Sequence, residues 1–102
     1  FNITGDVTAE IISQDLNGRS AVVNHGASYV AERRFVEGIE LINKGLRMSP
    51  QEPEKAYYNR GLAYENLGLH DKAFDDYLKA LELKPGWEAP KRHLYRYTGI
   101  EY

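Results

Sequence analysis

The sequence contains no cysteine. That absence excludes disulfides, thiolate catalysis and cysteine-ligated metal sites, and leaves the redox compartment open. Long apolar runs are missing too: no stretch nears the roughly 18 residues needed to span a bilayer. Neither sign of charge dominates. With 13 Lys and Arg against 15 Asp and Glu, the formal net charge is −2, so no bulk field draws the chain to nucleic acid or to an anionic membrane. The opening from Phe1 lacks the charged-then-apolar order of a signal peptide, and the chain reads as a fragment or a processed product. Asn2-Ile3-Thr4 has the form of a glycosylation sequon, but so short a match is better read as chance. No compartment follows from these features.

What is present is ordinary globular composition, 42% apolar and 27% charged over 102 residues, enough for one domain with one modest core. Within it lies a repeat. Shifted by 35 positions, Asn24 falls on Asn59, Gly26 on Gly61, Tyr29 on Tyr64, Lys44 on Lys79, Leu46 on Leu81 and Pro50 on Pro85. Size class is kept as well: Gly38 pairs with Ala73, Gly45 with Ala80, Val22 with Tyr57, Ile39 with Phe74 and Ile42 with Tyr77. Ungapped agreement over so many positions marks a tandem repeat.

Each copy reads as two helices. Tyr57, Gly61 and Tyr64 share one helical face, and Gly68 suits a left-handed C-cap. From about Asp71, the residues Ala73, Phe74, Tyr77, Ala80 and Leu81 form an apolar stripe that Pro85-Gly86 stops. Asp75 with Lys79, and Glu40 with Lys44, are expected to pair at i,i+4. Small residues at 26, 38, 45, 61, 73 and 80 sit where two antiparallel helices must approach closely. A larger residue at Gly61 is expected to overpack that crossing.

These residues resemble the tetratricopeptide repeat family, whose pattern runs from a large residue through Leu-Gly, spaced aromatics and alanines to a closing Pro. Tyr57, Gly61, Tyr64, Gly68, Ala73, Tyr77, Ala80 and Pro85 fit it closely; Val22, Gly26, Tyr29, Gly38, Ile42, Gly45 and Pro50 fit it more loosely. His25 and Arg60 stand where the family has Leu, and His70 where it has Tyr. The period of 35 exceeds the family's 34, and the extra residue is expected to lengthen the turn around Gln51-Glu52-Pro53. The resemblance implies an all-α fold, an α-α superhelix of two helical hairpins. We expect an N-terminal element over 1–18, repeats over 19–53 and 54–87, and a C-terminal capping helix and tail over 88–102. Residues 6–16 could form a short helix, which would make 1–18 a degenerate second helix of an earlier repeat. The segment 87–97 reads as an amphipathic helix that covers the last apolar face, as solenoids require.

No catalytic constellation emerges. His25, His70 and His93 have no second ligand at metal spacing, and there is no nucleophile elbow, phosphate loop or HExxH. Asp75 and Asp76 read as solvated charge, and His70 as a satisfied, half-buried packing residue. No cofactor is expected. The basic stretch of Lys84, Lys91, Arg92, His93 and Arg96, with Tyr95 and Tyr97 interleaved, reads as a wet cap face rather than a nucleic-acid surface.

Binding of a protein or peptide is therefore the expected function. The resemblance places a peptide groove along the first helices, with Ser20, Val23, Ala27 and Val30 from one copy and Lys55, Tyr58, Leu62 and Glu65 from the other, joined by Arg92. Tyr58 is the expected anchor, and its replacement by Ala is expected to abolish binding with helicity nearly unchanged. A competing reading has Val23, Val30, Tyr58 and Leu62 covered by the chain's own flanks. The family branch that clamps the C-terminal carboxylates of chaperones uses Lys and Asn where this chain has Val23 and Ala27, so an apolar or mixed segment is the expected partner. Asn59 matches that branch's second-repeat Asn, a residue common there for other reasons. Self-assembly into a homo-oligomer, or service as a regulatory or targeting domain of a larger protein, are the alternatives.

Overall fold

A computed structural model describes residues 7–13 and 18–102 of the chain. The sequon and the ends of the 6–16 segment lie outside the described residues. Among the latter there are five helices and no strand: α1 Ala21–Ala31, α2 Phe35–Leu46, α3 Pro53–Asn66, α4 His70–Leu83 and α5 Glu88–Thr98. Contacts are most extensive within the pairs α1·α2 and α3·α4, followed by α2 on α3 and α4 on α5. This is the all-α stack of two hairpins and a terminal helix that the repeat implied.

The helix ends follow local chemistry. Pro53 opens α3, where its missing N–H costs nothing and its fixed φ is already helical. Acidic Glu37, Glu54, Asp71 and Glu88 occupy first turns, and Lys44 and Arg96 last turns, each complementing the helix dipole. After α3, Gly68 takes φ +79°, its N–H bonds Glu65 O at 3.0 Å, and Leu69 N–H bonds Tyr64 O at 2.9 Å. That is a Schellman motif. After α1 the same bonds recur, from Arg33 to Val30 O and from Arg34 to Tyr29 O, but the left-handed position (φ 64°) is held by Arg33. The link between α2 and α3 spans 47–52, two residues longer than the 84–87 link, and holds Ser49 and Glu52 at positive φ.

The glycines within the helices, at 26, 38, 45 and 61, sit at true close approaches. A Cβ on Gly26 would meet the Gly38 carbonyl oxygen at 2.9 Å and Ile42 Cγ1 at 2.8 Å. One on Gly61 would meet the Tyr77 ring at 2.8 Å. Gly38 and Gly45 of α2 press on Val30 and Val23 of α1. Ile42, Tyr77, Ala73 and Ala80 of α2 and α4 are fully buried, as is Leu94 of α5.

Two sequence expectations need correction. Asp76 is not solvated: it is 4% exposed and accepts two 2.8 Å hydrogen bonds from Arg60, which also donates to Asn43 at 2.9 Å. Arg60, standing in the family's Leu position, thus ties α3 to both α4 and α2. Lys79 lies 3.6 Å from Glu82, one turn on, rather than pairing with Asp75. His70 is half-buried with Nδ1 2.8 Å from the Tyr97 hydroxyl.

Candidate functional site

The segment 7–13 is not helical. It lies across the face that α1 and α3 form, held through its backbone. Asn59 binds residue 10 bidentately: its Oδ1 accepts from Glu10 N–H at 2.7 Å, and its Nδ2 donates to Glu10 O at 2.8 Å. Asn24 does the same for residue 12, at 2.8 Å and 3.0 Å. A carboxamide carries one acceptor and two donors in a plane, so it can mimic a neighbouring strand's edge. Residues two apart in an extended chain present their N–H and C=O to the same side, about 6.7 Å apart. The two asparagines, 35 apart in sequence, thus read one edge of one segment.

The remaining contacts come from the start of α3. Lys55 Nζ donates to Ile11 O at 2.9 Å, and Glu52 Oε2 accepts from Ser13 N–H at 2.9 Å. Lys55 and Glu52 are themselves paired at 3.1 Å. The Ser13 N–H, followed by Lys55, holds the Glu52 carboxyl below its usual range. Of the side chains in the segment, Ile12 is 1% exposed and joins the core, while Ile11 is 55% exposed.

The nine residues expected along the groove have different surroundings. Val23 and Val30 are buried against Gly45 and Gly38 of α2. Ala27 and Leu62 are buried, and Leu62 lines a cavity with Thr8 and Glu10 of the segment. Ser20 is buried and its Oγ accepts from Gln51 N–H at 3.1 Å. Lys55 binds the segment directly. Tyr58 is 5% exposed, its ring 5.0 Å from that of Trp87 and 5.7 Å from those of Tyr77 and His93. Burial pushes its hydroxyl up to about 12. Tyr58 therefore packs α5 onto α3, and its removal would disturb the fold rather than leave helicity unchanged. Arg92 is exposed, at the mouth of a cavity of about 340 Å³ that Glu10, Tyr58, Leu62 and Glu65 also line.

Glu65 is the hub of the α5 dock. Its carboxylate, 1% exposed, accepts from the Tyr77 hydroxyl at 2.8 Å and lies 2.9 Å from His93 Nδ1 and 3.2 Å from Arg96. Burial pushes this carboxyl up, but the hydrogen bond and charge of His93, with Tyr77, more than offset it and hold it at about 2. Among the described residues, no buried side-chain polar atom lacks a partner and no group of three His, Asp or Glu could hold a metal. No helix there is long and apolar enough to cross a membrane.

Asn24 and Glu52 were not among the expected groove residues, and Asn59 was set aside as ordinary. The signal was there: Asn24 on Asn59 is a polar identity in the 35-residue register, on a face where apolar residues dominate. Glu52 carried no such mark, because its role depends on the left-handed turn before α3.

Comparison with known proteins agrees with this architecture. The family model for the tetratricopeptide repeat matches residues 54–86. Photosystem I assembly protein Ycf3 of Acaryochloris marina is 28% identical over 89 residues, covering 83% of this chain and 54% of that protein. The protein of the same name from Synechococcus elongatus is 25% identical over 89 residues, covering 83% and 51%. Human tetratricopeptide repeat protein 28 is 37% identical over 68 residues, covering 67% of this chain and 3% of that protein. The chain spans about half the length of the photosystem assembly relatives it matches. No solved structure matches it at a significant level. Residues 54–86 are a tetratricopeptide repeat, and the first hairpin copies its register 35 residues earlier.

Proposed function

We propose that the chain is a protein-interaction module whose α1–α3 face holds an extended segment of a partner protein by its backbone. Tetratricopeptide repeats support protein–protein interaction in general; the finer reading rests on one observation. Asn24 and Asn59 each bind a backbone N–H and C=O of residues two apart, which is how an added strand is gripped. The segment 7–13 is then the chain's own stand-in for that partner. Two of the relatives are named for assembly of photosystem I. A groove that grips backbone suits such a role, since it can hold a segment of a subunit before that subunit is assembled.

The test uses the full chain with Ile12→Asp, which places a charge where the buried Ile12 sat and expels the segment. A labelled peptide copying 7–13 (Val-Thr-Ala-Glu-Ile-Ile-Ser) should bind this variant saturably. Adding Asn24→Ala and Asn59→Ala should abolish binding, with helicity retained in circular dichroism. A folded Ile12→Asp chain that binds no such peptide overturns the reading. Self-assembly is a second reading, favoured by one observation: the groove's occupant is a segment that every copy carries. Sedimentation of the unaltered chain over a concentration series separates the two, since exchange of 7–13 between copies requires a dimer that grows with concentration.

A further inference from the structure

Among the described residues, the six hydrogen bonds that α1 and the start of α3 make to the segment all go to its backbone, so any extended sequence would satisfy them. Selection among partners must come from side chains, and three of these face different surroundings. Ile12 is sealed into the apolar cluster that includes Val23, Ala56 and Leu62. Ile11 faces solvent. Glu10, half-buried, lines the cavity of about 340 Å³ together with Arg92, His93 and Arg96 of α5.

Electrostatics gives that cavity its preference. Glu65 on the α3 side already engages His93 and Arg96, which leaves Arg92 to set the sign at the mouth. An acidic side chain at position 10 shares this cavity with the Arg92 guanidinium; a cationic one would add like charge to it. From this arrangement, and resting on the groove reading above, we infer the partner's chemistry. It is an extended segment with an acidic side chain two positions before a buried aliphatic one, any residue between them, and this chain's Glu10, Ile11 and Ile12 form its built-in competitor. A competitor tethered a few residues from α1 has an effective concentration on the order of millimolar. A partner segment must displace it, so apparent affinity is lowered by the fraction of grooves already filled.

The experiment titrates labelled heptapeptides into the full chain in two forms, unaltered and Ile12→Asp. One peptide copies 7–13, a second replaces its Glu by Lys, and a third replaces its first Ile by Lys. On Ile12→Asp, the Lys-for-Glu peptide should bind about fivefold more weakly than the copy, and the Lys-for-Ile peptide about as well as the copy. Adding Arg92→Glu should reverse the ranking of the first two. The unaltered chain should bind the copy at least about tenfold more weakly than Ile12→Asp does. If the first two peptides bind equally and Arg92→Glu changes nothing, the acidic preference is overturned, while loss of binding with Asn24→Ala and Asn59→Ala keeps the groove reading standing. Equal affinity of the unaltered and Ile12→Asp chains overturns the competition. If no peptide binds either form, the groove reading itself fails. Should Ile12→Asp lose helicity, the same series is run on the milder Ile12→Ala.

Discussion

The two hairpins share one register but solve the same packing problem with different residues. In the first, glycines at 26, 38 and 45 let α1 and α2 meet through Val23, Val30 and Ile42, backbone against branched side chain. In the second, Ala73 and Ala80 occupy the positions of Gly38 and Gly45, and the space goes to Tyr58 and Tyr77. Aromatic rings carry hydroxyls, and those hydroxyls need partners when buried. The second hairpin accordingly builds a polar dock around Glu65, where the first has Val30. The first hairpin closes on itself; the second is built to receive α5. Only Asn24 and Asn59 are chemically identical on the shared face and hold the same kind of backbone group, which singles out the groove as what both hairpins have in common.

Several substitutions sharpen or break that contrast. Tyr58→Ala should cost about 4 kcal/mol, since it removes a buried ring that Trp87, Tyr77 and His93 pack against. Val23→Ala at the equivalent position should cost about half as much, because far less volume is lost. Urea denaturation measures both, and similar costs would mean that the hairpins are energetically alike. Gly26→Ala should destabilise by about 3 kcal/mol and Gly61→Ala by about 2 kcal/mol. The first clash involves a backbone carbonyl and the second a ring edge that can tilt; the reverse order would contradict the account of the two crossings.

Acid should act on the second hairpin first. Glu65 has a folded-state pKa below its unfolded one, so its contribution is full above the ordinary carboxylate range and is lost as pH falls toward about 2. Trp87, the only tryptophan, lies against Tyr58 and reports docking of α5 by fluorescence. Its signal should change over that descent before helicity falls, and Glu65→Gln should flatten the change. The smallest effect concerns Arg33, which holds a left-handed turn where the second hairpin has Gly68. Arg33→Gly should stabilise by about 1 kcal/mol, seen as a higher urea midpoint.

The helices, the hairpin pairing and the close-approach glycines were legible because each is a local or periodic property. The 35-residue register carries them in residue type alone. What was not legible depends on side chains meeting across elements. Asp76 looks like one of two exposed acids until Arg60, sixteen residues earlier, is seen to reach it. Tyr58 lies on the expected groove face, yet the terminal helix that follows Trp87 covers it. The segment 7–13 shows helical spacing of Val7 and Ile11, but it is held instead by asparagines 12 and 49 residues further on.

The account rests most on the grip of Asn24 and Asn59 on residues 10 and 12, and amide hydrogen exchange of the full chain tests it directly. The Glu10 and Ile12 amides should be protected well beyond an open chain, while Ile11, whose side chain faces solvent, gives the local reference. Asn59→Ala should release Glu10 before Ile12, and Asn24→Ala should do the opposite. Open-chain exchange at Glu10 and Ile12 in the unaltered protein would contradict the account.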